Sequence, residues 1–315
     1  VDEDPYQNVL RRFHHFVEQL KGAGEETLQL YGHQRDGGSW VRLLCLDPSR
    51  MMRRQFQGFE AAILMSATLR PAAYHQDLLG LDPERCVYSE HGSGFSRDNR
   101  GVYLATRVST AYRDREAHRQ KTGDLLRSII EASPGHTAIY YSSYAMLGAL
   151  APLTSTAGVL PLQQSADMKD ADHRLMLETL ENQEQPVALH AVLGGLFSEG
   201  VDLPSGCLKT VVVVGPALPP VGVEREKIRD WCEERYGEGF AYAFLVPGMS
   251  RVIQAAGRIV RSAEERGAVV LVGRRFGWRD YRQMLPEDWA VERVEEPAVS
   301  VAEFWQSADA TAVLG

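Results

Sequence analysis

With 315 residues, 44% hydrophobic and 24% charged, the chain is long enough for a sizeable core and has the composition of a globular protein. No apolar run approaches the roughly 18 residues of a membrane span and no charged-then-apolar leader opens it, so it reads as a soluble, cytoplasmic chain with no membrane partner. A net charge of −8 excludes a protein coated in base for wrapping DNA, but leaves room for a local basic groove.

In chain order, Val9, Phe13, Phe16, Val17 and Leu20 recur at helical spacing and stop at Gly22, which predicts an amphipathic helix over 5–21. Strand-like runs at 27–31 and 40–46 flank a turn at Asp36-Gly37-Gly38. A short helix over 51–57, closed by Gly58, leads into a strand at 61–65. Residues 85–120, rich in Arg, Ser and Gly, read as a long connection. Apolar runs at 136–141, 187–192, 210–214 and 268–272 then alternate with helical stretches at 122–132, 144–150, 171–182, 224–236 and 250–261. Wholly apolar strands alternating with helices predict a parallel α/β sheet covered on both faces. The tail after Glu296 reads as a frayed terminus. Cys45, Cys86, Cys207 and Cys232 form no C-x-x-C pair, so they suit buried reduced thiols better than zinc, a cluster or disulfides. The chain opens on Val1 rather than Met, which suggests a processed product or, in preference, a fragment cut out for expression.

Four constellations carry chemistry. On a continuous helix, Arg251, Gln254, Arg258 and Arg261 fall within a stripe about 80° wide, opposite Val252, Ile253, Ala256, Ile259 and Val260. Planar, always-charged forks held on a rigid face suit a developing phosphate charge, whereas the plain alternative is a solvated basic face. In Gly194-Gly195-Leu196-Phe197-Ser198-Glu199-Gly200-Val201-Asp202-Leu203-Pro204, the glycines permit close backbone approach and the two carboxylates offer acceptors; an ordinary βα loop explains the run as well. Ser66-Ala67-Thr68 places hydroxyls at a strand end, where a helix cap is the rival. Tyr140-Tyr141-Ser142-Ser143-Tyr144 offers stacking and hydroxyls, or simply core tyrosines.

In this order, S-A-T, an aromatic-S-x-Y strand end, G-G-x-F-x-E-G-x-D and Q-x-x-G-R-x-x-R resemble the C-terminal motif series of superfamily 2 helicases, in the form of the DinG/XPD-like DNA helicases. The resemblance covers residues 40 to 290, with Leu218-Pro219-Pro220 and Arg274-Arg275-Phe276 as lesser matches. It implies a RecA-like lobe, with residues 1–70 as a helical and hairpin appendage (the tail of an arch and first motor domain) and 71–315 as the second motor domain. It implies ATP with Mg²⁺ bound between this lobe and the protein's own N-terminal motor domain. Arg258 and Arg261 would be arginine fingers, Gln254 would position them, and Gly200, Asp202, Glu199 and Gly257 would lie at the nucleotide. Single-stranded DNA would meet Ser142, Tyr144, Phe197, Ser198 and Thr68, with 5′ to 3′ movement.

The sequence has no G-x-x-x-x-G-K-[ST], no D-E-A-H and no four-cysteine cluster. These 315 residues alone are therefore expected to be inactive, and any iron–sulfur cluster would lie outside them. Gly273 stands where relatives usually have Asp before the Arg-Arg-Phe run. The rival readings are a non-enzymatic nucleic-acid-binding or regulatory module derived from such a lobe, and a nuclease fused to the motor.

Overall fold

A computed structural model describes residues 4–34, 37–195, 197–198 and 206–312. The chain divides into two units, Val1–Tyr88 with Pro219–Phe244, and Ser89–Leu218 with Leu245–Gly315.

In the first unit, α1 (Pro5–Lys21) begins where Asp4 Oδ1 accepts the Tyr6 N–H at 3.0 Å and Pro5 fixes the first turn. Its apolar stripe is as expected, yet Val9 and Phe13 are 63% and 66% exposed. β1 (Thr27–His33) and β2 (Ser39–Cys45) form an antiparallel hairpin with Thr27 opposite Cys45. α2 (Ser49–Phe56), α3 (Ala72–Leu79) and α7 (Val223–Tyr236) complete the unit.

Asp47, 2% exposed, ties these pieces together. Its carboxylate accepts from Ser49 N at 2.8 Å, Tyr236 Oη at 2.7 Å and Trp231 Nε1 at 3.2 Å, and pairs with Arg235 Nε at 3.2 Å. A buried carboxylate persists when its lone pairs are used in this way. The strand expected at 61–65 does not form: the segment is irregular, with Ile63 and Met65 85% and 88% exposed. A strand needs a neighbouring backbone, and the only ladder among this unit's described residues is β1–β2.

The second unit holds seven parallel strands: β3 (Arg100–Ala105), β4 (His136–Tyr141), β5 (Leu160–Gln163), β6 (Val187–Val192), β7 (Leu208–Val214), β8 (Gly267–Val272) and β9 (Val291–Val294). Their order is β5-β6-β4-β7-β8-β3-β9. Helices cover both faces, which makes this a RecA-like lobe. One face packs Ile139, Tyr141, Val212, Val270 and Val272 against Leu126 and Ile129 of α4 (Arg119–Ala132) and Leu147 of α5 (Tyr144–Leu150). α6 (Asp170–Asn182), α8 (Val246–Gly257) and the short α9 (Arg279–Gln283) belong to the same unit.

Two expectations are overturned here. β3 lies inside the stretch read as a connection; it offers only four apolar residues behind Arg100-Gly101, yet it sits between β8 and β9 with Val102 and Leu104 each 1% exposed. The tail is not frayed: α10 (Pro297–Ala312) packs on α4 and β3, with Val301 fully buried and Phe304 and Trp305 against the core.

Candidate functional site

β6, β4, β7 and β8 are consecutive in the sheet, so the loops after their C-terminal ends are neighbours, at the edge where α/β sheets gather ligands. After β4, Ser143 Oγ accepts from Met146 N at 3.2 Å and caps α5. Ser142 is half-buried and donates to Met146 Sδ at 3.6 Å, while Tyr144 is 40% exposed. Tyr140 and Tyr141 are fully buried, as a core reading requires. Tyr141 Oη meets His190 Nδ1 of β6 at 2.9 Å, and burial lowers the His190 imidazole to about 4.

In the loop after β6, Gly194 lies beside Arg251 of α8: a Cβ there would stand 3.4 Å from its Nε and Cζ, an ordinary contact, so it is the turn, at φ 76°, that disfavours a side chain. Phe197 and Ser198 are both 0% exposed, which corrects the expectation that their side chains meet a strand. The Phe197 ring stands edge-on to His173 at 5.6 Å, its carbonyl accepts from Tyr140 Oη at 3.1 Å, and Ser198 Oγ donates to Gly195 O at 3.0 Å. An apolar ring beside a glycine pair serves equally as a loop anchor, and here it is one. Glu199, Gly200 and Asp202 lie outside the described residues.

The helix carrying the arginines is shorter than its periodicity suggests. α8 ends at Gly257, Arg258 is its C-cap and Arg261 lies in the turn beyond, so the four polar side chains do not share one helical stripe. Gly257 weakens the helix. Ile259 and Val260 turn inward, 2% and 3% exposed, and the Glu265 carboxylate takes the N–H groups of Arg261 and, at 3.1 Å, Ser262. The polar groups still congregate: Gln254 is exposed, Arg258 and Arg261 are half-buried, and a Cβ at Gly257 would meet nothing within 4 Å. Burial pushes the Tyr140 phenol up, and the charges of Arg258 and Arg261 act against that shift, which puts both guanidiniums within electrostatic reach of β4.

Two features carried no clear signal. Glu265, the clamp on the arginine turn, was legible only as the fourth residue of Ser262-x-x-Glu265, a capping spacing with no helix after it. Thr110, on the segment after β3, lies against the backbones that end β7 and β8: Cβ atoms at Gly215 and Gly273 would come within 2.7 and 2.9 Å of its Oγ1. In the other unit, Thr68 closes a turn on itself, its N–H on Ser66 Oγ at 3.2 Å and its carbonyl accepting from His75 Nε2 at 3.2 Å.

Comparison with known proteins places this geometry. The helicase C-terminal domain family matches residues 126–292. The helicase subunit XPD of general transcription and DNA repair factor IIH from Schizosaccharomyces pombe is 22% identical over 284 residues, 83% of this chain and 36% of that protein. ATP-dependent DNA helicase DinG from Photobacterium profundum is 27% identical over 235 residues, 71% of this chain and 33% of that protein. The chain thus spans about a third of the length of these relatives. Among solved structures, an XPD helicase superposes with a TM-score of 0.66 at 18% identity, covering 89% of this chain and 49% of its own, which establishes the shared fold.

Proposed function

Because the chain belongs to the helicase C-terminal domain family, in its DinG/XPD-like superfamily 2 form, we propose that it is the second motor lobe of an ATP-dependent DNA helicase that moves 5′ to 3′ along a single strand in DNA repair or replication. The observation that carries this reading is the arginine turn: Arg258 and Arg261 follow a mostly buried helix and Glu265 clamps the backbone at Arg261 and Ser262, beside exposed Gln254 and the uncovered backbone of Gly257. Two guanidiniums beside an open glycine backbone suit the terminal phosphates of a nucleotide bound across from the protein's own N-terminal motor domain. ATP hydrolysis supplies the free energy for movement. In this reading Arg258 and Arg261 stabilise charge that grows on the phosphates, Gln254 holds their approach, Gly200 and Gly257 lie at the nucleotide, and Glu199 and Asp202 couple nucleotide state to lobe closure. Ser142, Tyr144 and Thr68 face the strand. Among the described residues no group of three or more His, Cys, Asp and Glu side chains could hold a metal ion.

The test is made in the enzyme that carries this lobe together with a nucleotide-binding lobe. Arg258→Ala and Arg261→Ala should each lower the rate of ATP hydrolysis by about 10³- to 10⁵-fold while leaving ATP affinity nearly unchanged, because a finger acts on the transition state. Lys in place of either should restore little, since a point charge lacks the planar fork. The 315-residue chain by itself, which lacks the phosphate-binding lysine motif, should show no DNA-stimulated turnover. A normal hydrolysis rate in both alanine variants, with fold intact, would assign the turn to structure alone.

A further inference from the structure

The segment after β3 does more than pass over the sheet edge. Thr110 rests against Gly215 and Gly273, and Ser109 Oγ donates to Asp114 Oδ2 at 2.7 Å. The chain then makes a tight turn, with Asp114 N and Arg115 N both on Ala111 O at 3.0 and 2.9 Å, before His118 N meets Asp114 O at 3.2 Å ahead of α4. This pinned turn presents Tyr112, 82% exposed, with the Arg115 guanidinium 4.3 Å from its ring centroid. Arg113 beside it is 89% exposed and only loosely paired with Asp114 at 3.6 Å. Arg115 and Ala145, the neighbour of Tyr144, line one cavity of about 90 Å³, so the turn and the start of α5 border a common space. The Thr110 hydroxyl on that cavity's wall is buried and makes no hydrogen bond among the described residues.

A large ring left in water, already stacked with a guanidinium and fixed on an ordered turn, has little to gain from packing on its own protein. It is poised for a flat ligand that brings negative charge. We propose that Tyr112 and Arg115, with Tyr144, form a base-stacking platform for single-stranded nucleic acid: a base lies on the Tyr112 ring while Arg115 and Arg113 take the adjoining phosphates. Sequence-tolerant strand binding combines these two elements, an aromatic face and basic groups along the backbone. Locally, 107–119 carries Arg107, Arg113, Arg115 and Arg119 against Asp114 and Glu116, a basic patch on an acidic chain. The proposal rests on the strand-binding part of the function proposed above and adds to it Tyr112, Arg113 and Arg115, which lie outside the helicase motifs.

The experiment uses the 315-residue chain and a fluorescein-labelled oligo(dT), followed by anisotropy at several salt concentrations. Tyr112→Ala should weaken binding about 5-fold or more with the salt slope unchanged, and Tyr112→Phe should bind within about twofold of the original chain. Arg115→Ala should weaken binding and also lower the slope of log affinity against log salt by about 0.7, one phosphate contact on a single strand. Unchanged melting temperatures would show that the fold is intact, as the 82% exposure of Tyr112 leads one to expect for its variants. Binding by the original chain that Tyr112→Ala and Arg115→Ala leave untouched overturns the platform alone. No binding by the original chain overturns the strand-binding reading and the platform with it.

Discussion

Gly215 and Gly273 show how one residue type can be dictated by a neighbour. Gly215 has φ 77° and Gly273 φ 140°, and a Cβ at either would run into the Thr110 hydroxyl. Gly215→Ala should therefore cost about 1–3 kcal/mol from backbone strain alone, plus the contact with Thr110. The two parts separate in a double-mutant cycle. In a Thr110→Ala background the 2.7 Å clash with Oγ1 disappears, while the 3.2 Å approach to the Cβ at 110 and the strain stay, so Gly215→Ala should cost measurably less there. Urea unfolding of the four variants gives the coupling; strict additivity would mean that the close approach of Thr110 is not what requires glycine. Gly273, where the family resemblance leads one to expect Asp, has a local reason to be glycine: its backbone lies in a region that side chains other than glycine rarely adopt.

At the scale of elements, legibility followed how much of an element's signal was its own. The hairpin, α1 and the four apolar strands β4, β6, β7 and β8 were legible because turn residues, helical spacing and wholly apolar runs are local patterns. β3, β5 and β9 were not. β5 holds Pro161 at the edge of the sheet and β9 has four residues, so partners rather than pattern make them strands. At the candidate site the sequence grouped the right side chains but extended their helix too far, because the turn at Gly257 depends on a carboxylate four residues beyond Arg261. α10 is the clearest tertiary case. Its apolar residues look scattered in the sequence, yet Val301 is completely buried against the face formed by α4 and β3. Ending the chain at Glu296 should therefore lower the melting temperature by several degrees, since about 1 kcal/mol already moves the midpoint of a domain of this size by roughly 2–4 °C. Val301→Ala should lower it in the same direction by less. A truncated chain that melts like the original would return this tail to the status of a frayed end.

For the whole molecule, acid should weaken the two units to different extents, because each buries its own titratable hub. In the sheet unit His190 is 1% exposed, wedged between Tyr141 Oη at 2.9 Å and Thr154 Oγ1 at 3.3 Å, and burial depresses its pKa to about 4 from an ordinary 6.5. The folded state holds this ring neutral and the unfolded chain does not, so between these values the unfolded chain binds more protons. Stability present above about 6.5 is then lost as pH falls towards 4. The full loss is on the order of 3 kcal/mol at about 1.36 kcal/mol per pH unit. In the other unit, burial would raise the Asp47 carboxyl, but hydrogen bonds from Ser49, Tyr236 and Trp231 outweigh it and hold the group below its usual range. Its contribution is complete above the unfolded value of about 3.9 and disappears only as pH falls through the lower folded value. Burial shifts His75 of that unit, and His136 of the sheet unit, in the same direction as His190, so neither unit is flat, but the large shift belongs to His190. Hydrogen exchange read peptide by peptide from pH 6.5 to 4, corrected for the intrinsic effect of pH, should show opening free energies falling more steeply across β4 and β6 than across β1, β2 and α7. His190→Gln, whatever its own cost at neutral pH, should flatten the slope in the sheet unit and leave the other unit's slope alone. Equal slopes in both units of the original chain, or a slope that survives the substitution, would show that His190 does not control the acid response.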